Sequence, residues 1–298
     1  MKDETVIALG FFDGVHLAHR ALLDTARARA EARGAVAAAF TFDRSPRECV
    51  TGETVPLLTT TEERCDLLRR EGRMARVIVA QFDEALRTLK WEAFLDRLRE
   101  EEHAVHFVAG HDYRFGYRGE GTPERLAAYC ARHGLGCDII PCVLRGGEAV
   151  SSSRIRALLA SGDASGAAAL LGRPYALCGT VTHGQGLGHR ALVPTANLAL
   201  QPCKLLPRRG VYAARATLSD GSQYAAVTNI GVRPTVESGG ETTVETYLAD
   251  FSGDLYGGAL RVELLAFLRE EQQFGDLAAL RQQIELDACA AKKSVGLF

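Results

Sequence analysis

Residues 10–19, GFFDGVHLAH, place a carboxylate and two imidazoles within one short stretch: Asp13, His16 and His19. Imidazoles three residues apart share one helical face, and Gly10 and Gly14 permit close or left-handed backbone beside them. With the first free amides of a following helix, such a turn can surround a polyphosphate. Two other readings stay open, a polar helix start with incidental histidines and a zinc pair, for which no third ligand is evident nearby. Two familiar nucleotide sites are excluded. A Walker A loop requires a glycine–lysine pair, and none of the five lysines (2, 90, 204, 292, 293) follows a glycine. The stretch GQGLGH at 184–189 imitates a dinucleotide fingerprint, but Pro194 falls where its helix should run.

A phosphate turn needs a strand before it and a helix after it. The apolar run at 5–9 supplies the strand, and further runs at 36–42, 76–80, 105–109 and 137–141 alternate with helical patterns. The helices carry their own punctuation: GTPERLAAYCARHG puts Thr122 at the cap, Pro123 in the first turn and Gly134 at the stop. Alternating βα units predict an α/β N-terminal domain built on a doubly wound parallel sheet. The pattern changes after SSSRIRALLASGDASGAAALLGRPY, read as one or two short helices ending at Gly172 and Pro174, so the domains are set at 1–172 and 173–298. From 175 to about 268 come short strand-like runs (YALCGTVTH, GVYAARATL, YAAVTNIGV, VETYLADF, LRVELLAFL), and LAALRQQIELDACAAKK then restores a helical period. This predicts a small antiparallel β-barrel closed by a C-terminal helix.

Composition narrows the function classes. The 298 residues suffice for two hydrophobic cores, and 47% apolar with 24% charged residues excludes a largely disordered chain. A net charge of −2 without a basic block leaves no electrostatic footprint for duplex nucleic acid. No apolar stretch approaches the roughly 18 residues of a membrane span, and no cleavable leader is evident, so a cytoplasmic location without membrane partners is expected. The eight cysteines form no C-x-x-C pair and read as reduced, packed thiols.

A strand, an H-x-x-H pair and a distant VSSSRIR at 150–156 resemble the HxGH-type nucleotidylyltransferase superfamily. More narrowly, GFFDGVHLAH, TFDRSP, GHDYRFGYRGEG and SSSRIR, in that order, resemble the adenylyltransferase half of bacterial bifunctional riboflavin kinase/FAD synthetases. VPTANL, NIGVRPT, VETYLADF, DLYG and LREEQQF resemble that family's riboflavin kinase domain, a fold unrelated to P-loop kinases. The resemblance covers nearly the whole chain. It implies phosphorylation of riboflavin to FMN by the C-terminal half and adenylylation of FMN to FAD by the N-terminal half. ATP would be co-substrate of both, Mg²⁺ the cofactor, and riboflavin, FMN and ATP the partners.

The two reactions ask for different residues. The FMN phosphate is already ionised, so adenylyl transfer needs charge and position rather than a general base. The resemblance implies that His16 and His19 contact the ATP phosphates from a turn holding Gly10, Phe11, Asp13 and Gly14, while Ser152, Ser153 and Arg156 close over them. Asp112 and Arg114 are candidate flavin contacts, the aromatics and Arg118 of the same loop being suited to a ring and its phosphate; for Asp112 a turn or cap role is the alternative. Riboflavin instead offers an alcohol, and proton acceptance helps its attack on the γ-phosphate. Glu245 in VETY is the candidate base. Thr195 and Asn197 in PTAN, two apart on an extended segment, face one side and could hold Mg²⁺ together with nucleotide phosphates; a turn-forming role is the alternative. Arg233 supports either the flavin loop or the fold. Arg269, Glu270 and Glu271 read as a solvated face at the start of the last helix.

The chain departs from the family pattern in places. A glycine is usual at Ala18, a small or polar residue at Phe11, and a histidine between prolines near Ser45. In the barrel, arginine is usual at His189, glycine at Leu192 and histidine at Tyr247. If the glycine's backbone freedom is needed, Leu192 would be strained or would block the nucleotide. The alternative reading is therefore an adenylyltransferase with a kinase-impaired, flavin-binding barrel.

Overall fold

The computed structural model describes residues 3–182, 195–232 and 242–295. Packing divides the chain into two compact units, Met1–Ser152 and Ser153–Phe298. The first is built on five parallel strands, β1 (Thr5–Leu9), β2 (Val36–Phe42), β3 (Arg76–Ala80), β4 (Ala104–Gly110) and β5 (Gly136–Ile140), in the order β3-β2-β1-β4-β5. The expected strands are all present, with shifts of a residue at β4 and β5. Every residue of β1 is buried, as befits a central strand covered on both faces. Ile7 and Leu9 face a layer with Phe40, Leu95, Phe107 and Leu126. Val6 and Ala8 face the opposite layer, with Leu23, Ala26, Leu68 and Val108.

Helices α1 (Leu17–Arg33), α2 (Pro46–Thr51), α3 (Thr61–Arg70), α4 (Glu84–Arg87), α5 (Trp91–Glu101) and α6 (Pro123–His133) connect the strands. Local chemistry sets their ends. Thr60 and Glu63 form a reciprocal capping box on α3, and α6 runs from the Thr122 cap to Gly134 at φ 69°. The chain winds outward from β1 to β2 and β3, then crosses to β4 on β1's other side. Ligands in such sheets bind at this reversal, beyond the carboxyl ends of the strands. A two-stranded hairpin, β6 (Leu144–Arg145) with β7 (Glu148–Ala149), follows β5; its short exposed strands bury nothing that a periodicity could reveal.

The second unit opens with α7 (Ser152–Ser161, whose first residue belongs to the first unit) and α8 (Ala164–Leu171). Its strands β8 (Tyr175–Thr182), β9 (Thr195–Ala199), β10 (Gly210–Leu218), β11 (Gln223–Val232), β12 (Thr242–Leu248) and β13 (Ala259–Arg269) close into an antiparallel barrel in the order β10-β11-β12-β9-β8-β13. The barrel and terminal helix match the expectation, and β9, which carries Thr195 and Asn197, is the strand absent from the list of strand-like runs. Helix α9 (Leu277–Val295) packs on β10 and β11, approaching closely because Ala213, Ala225, Ala288 and Ala291 are small. Arg269 closes β13 and donates to Asp287 of α9 at 2.8 and 3.1 Å, and Gln283 adds a bond to the same carboxylate at 2.9 Å. The expected solvated face at 269–271 is thus corrected at Arg269 alone, which ends the strand and is spent on an ion pair whose acid is 5% exposed, while Glu270 and Glu271 beyond it are exposed as expected.

Beneath the first sheet, Nε2 of buried His106 lies 2.8 Å from Asp138 Oδ2, and Arg29 grips the same carboxylate at 2.7 and 2.9 Å. Gly136 leaves room for the ring, since a Cβ there would stand 2.1 Å from His106 Nδ1. Burial pushes the imidazole below its ordinary value despite the acid beside it, and the Arg29 bond holds the Asp138 carboxyl below its own. The unfolded chain therefore takes up a proton below about pH 6.5 that the folded chain refuses, while Asp138 stays ionised. The first unit is expected to lose stability as pH falls from about 7 towards 5, and thermal melts should show a smaller loss in His106→Gln.

Candidate active sites

Between β1 and α1 the backbone is held in an unusual shape. Phe12, Gly14 and Val15 have φ of 58°, 85° and 41°. For a β-branched valine this is strain, and a fold keeps such strain only where its surroundings over-determine it. Packing does part of that, since Phe12 and Val15 are buried. The Asp13 carboxylate does the rest. It accepts from the Leu58 and Thr59 amides at 3.1 and 3.0 Å and from the Thr59 hydroxyl at 3.2 Å, while the Gly14 amide donates to Thr59 Oγ1 at 3.0 Å. Both oxygens of the Asp13 side chain, a candidate ATP contact, thus accept from the segment entering α3.

The turn delivers His16 as the N-cap of α1. Its Nδ1 accepts from the His19 amide at 3.3 Å, which assigns the proton of a neutral ring to Nε2. The His16 and His19 rings stack with centroids 3.6 Å apart and planes 14° apart, and Phe12 meets His19 edge-on at 5.2 Å. Two stacked imidazoles thus stand together at a helix N-terminus, a setting suited to anionic oxygens. Gly10 leaves space filled by the Phe12 ring, 2.9 Å from where its Cβ would lie, and the Phe11 carbonyl accepts from Thr41 Oγ1 at 2.8 Å. Ser152 Oγ donates to the Asp13 carbonyl at 2.9 Å, bringing the distant serine motif onto the turn. Ser153 and Arg156 follow on α7, in the second unit.

A cavity of about 550 Å³ opens in the same unit. Phe42, Phe82, Phe94 and Phe115 form apolar wall, and Arg47, Arg114 and Arg118 bring guanidinium groups to it. Aromatic surface with cations suits a planar ring bearing a phosphate. Of the two candidate flavin contacts, Arg114 lines this cavity, whereas Asp112 is exposed and lies outside its lining. The phenylalanines come from β2, α5 and two separate loops, so no single motif announces the cavity.

In the barrel, strand register assembles the second constellation. Glu245 on β12 pairs directly with Asn229 on β11 and with Asn197 on β9, and Tyr247 pairs with Thr195. Directly opposed residues share a face, so the carboxylate, both asparagines and the threonine form one polar patch. Thr195, Asn229, Glu245 and Tyr247 line a cavity of about 330 Å³ together with Glu271 and Asp287. A second cavity of about 300 Å³ is bounded by Thr195, Ala196, Phe251 and Tyr256, so Thr195 belongs to both walls. The Asn229 amide donates to Glu271 Oε1 at 3.0 Å. Asn229 and Glu271 were not among the expected site residues; the β11 register brings Asn229 to Glu245, and the bond from Asn229 holds Glu271, two residues past β13, on the same cavity. The hydroxyl of Thr195 and the amide oxygen of Asn197 are hard oxygen donors, a set that fits Mg²⁺ when phosphates complete the shell. Among the described residues no cluster of three His, Cys, Asp or Glu could hold a metal alone. Arg233, His189 and Leu192 lie outside the described residues.

Comparison with known proteins agrees with this division. A family model described as FAD synthetase matches residues 1–154, and one described as riboflavin kinase matches 171–295. Bifunctional riboflavin kinase/FMN adenylyltransferases are similar over most of their length. That of Pseudomonas fluorescens is 37% identical, across 96% of this chain and 92% of the relative, and that of Bacillus subtilis is 33% identical, across 96% and 91%. A Streptococcus pneumoniae crystal structure described as a macrolide-efflux protein aligns with a TM-score of 0.88 and 29% identity, covering 98% of this chain and 95% of that one. Among the described residues no helix is long and apolar enough to cross a membrane.

Removing the Asp13 carboxylate should leave buried amides unpaired and let the strained turn relax. Asp13→Ala is expected to lower the first unit's stability by about 1–3 kcal/mol, read from the shift of its urea midpoint.

Proposed function

The chain belongs to the family of bifunctional riboflavin kinase/FMN adenylyltransferases, and from that premise we propose which of its residues carry each reaction. It phosphorylates riboflavin to FMN and adenylylates FMN to FAD, with ATP as co-substrate. The reduced reading, an adenylyltransferase with an impaired barrel, is not favoured, because both family models match. The functional halves are taken as 1–172 and 173–298, with small molecules as the partners, no nucleic acid or membrane among them, and the cytoplasm as the place of work.

In adenylyl transfer an FMN phosphate oxygen attacks the α-phosphorus of ATP, a new P–O bond forms, and the bond to pyrophosphate breaks. No proton need be removed from the nucleophile, so the residues required are donors to phosphate oxygens. His16 through Nε2–H, His19, and the backbone at Gly10, Phe11 and Gly14 take that role. Asp13 holds the turn rather than the nucleotide. Ser152, Ser153 and Arg156 act from the serine motif, and Arg114 with the phenylalanine-walled cavity receives the flavin, while exposed Asp112 is a secondary contact. The stacked His16–His19 pair is the observation that supports this assignment most.

In the kinase reaction the riboflavin hydroxyl attacks the γ-phosphorus, its proton passes to Glu245, and ADP leaves. The cavity beside Glu245 receives the flavin, with Tyr247 and Glu271 on its walls, and the cavity beside Phe251 and Tyr256 receives the nucleotide. Thr195, on the wall between them, and Asn197 would hold Mg²⁺, whose charge would offset that of the nucleotide phosphates. Arg233 remains a candidate flavin contact. The direct pairing of Glu245 with Asn197 supports this assignment.

Chromatography of flavins after incubation with riboflavin, ATP and Mg²⁺ tests both halves at once. The wild type is expected to yield FAD, His19→Ala to stall at FMN, and Glu245→Gln to leave riboflavin unchanged. FAD from Glu245→Gln at the wild-type rate would remove that residue from the mechanism.

A further inference from the structure

Arg64 is an arginine with no exposed surface. It rises from α3 towards the carboxyl ends of β1 and β2. There its Cζ lies 4.5 Å from the Phe11 ring centroid, and Nη2 donates to the Phe42 carbonyl and to Thr61 Oγ1. Nε and Nη1 meet no acceptor among the described residues. Burial pushes the guanidinium below the ordinary arginine value, against the opposing fields of Asp13 and Asp43. Both acids hold other partners: Asp13 accepts from Leu58 and Thr59, and Asp43 accepts from the Phe82 amide at 2.8 Å and pairs with Arg44.

A buried cation with open N–H groups weakens a fold, and an apolar side chain of similar length in its place is often as stable or more so. Such a group persists when the site beside it uses the charge. Both of its neighbours point to the same use, since Phe11 belongs to the phosphate turn and Phe42 lines the aromatic cavity. The reactants there are anions, and positive charge fixed in a poorly screened interior acts on them without reorganisation.

Resting on the assignment of adenylyl transfer to this sheet edge, we propose that Arg64 is a positioning residue of that reaction. It sets the Phe11 and Phe42 ends of β1 and β2 and supplies a buried positive charge that draws phosphate to the turn. A role confined to stability makes the opposite forecast for an apolar replacement.

The test uses the full-length chain, with riboflavin phosphorylation as an internal control. Arg64→Met is expected to melt no lower than wild type and to phosphorylate riboflavin normally, while kcat/KM for FMN adenylylation falls about 100-fold. Arg64→Lys should recover at least about tenfold of that loss, because it restores the charge without the planar fork. The deficit of Arg64→Met should be the same at low and high salt. Separate KM values for FMN and ATP show which phosphate feels the charge. The proposal is overturned if Arg64→Met keeps adenylylation within about threefold of wild type, if it fails to fold or melts lower with activity lost in step, or if Lys is no better than Met. A wild-type chain that makes no FAD from FMN would instead overturn the proposed function, and this role with it.

Discussion

The first centre depends on the bonds that the Asp13 carboxylate makes to the Leu58 and Thr59 amides. A turn with Phe12 and Val15 at positive φ does not hold itself, because each such residue costs free energy that only its surroundings can offset. Asp13 ties the turn to the start of α3, and the turn in turn presents His16 as a cap whose ring stacks on His19. Remove the carboxylate and the imidazoles lose the geometry that makes them a surface. The acid that the sequence offers as a nucleotide contact is here bonded within the protein, as an anchor for the turn that carries the histidines.

The second centre is governed by a different constraint, closure of a sheet. A closed antiparallel barrel has no free edge and cannot slip by one residue without turning every inward side chain outward. Glu245 is therefore held between Asn197 and Asn229 by the register of three strands rather than by a local turn. Small alanines let α9 settle on the barrel, and the Arg269–Asp287 pair joins it to the end of β13 beside the same cavity. On the proposed assignments the two centres use opposite means for opposite chemistry: one gathers hydrogen-bond donors on a strained loop for charge that is already present, and the other fixes an acceptor on a regular strand for a proton that must leave.

Much of this was legible in the sequence, for identifiable reasons. The five parallel strands are apolar runs separated by capped helices, and each cap carries local chemistry that a linear reading detects. The histidine turn, Glu245 and PTAN were legible because their chemistry lies in contiguous residues. The missing parts are long-range. Phe42, Phe82 and Phe94 read individually as core, and only the fold makes them one cavity wall. Arg269 looked solvated because charged residues near a helix start usually are, whereas here it ends a strand that faces α9. Arg64 was invisible for the same reason: within TEERCDLLRR an arginine reads as surface, and its complete burial follows from where α3 lies against β1 and β2.

The central claim is that adenylyl transfer and phosphorylation run at two chemically independent centres on one chain, linked by FMN as product of one and substrate of the other. Mixing purified His19→Ala with purified Glu245→Gln, with riboflavin, ATP and Mg²⁺, tests it most directly. FAD should form in the mixture although neither variant makes it alone, since each supplies the centre the other lacks. No FAD from the mixture, with both variants folded and each inactive alone, would mean that the two residues serve a single centre and would contradict the account.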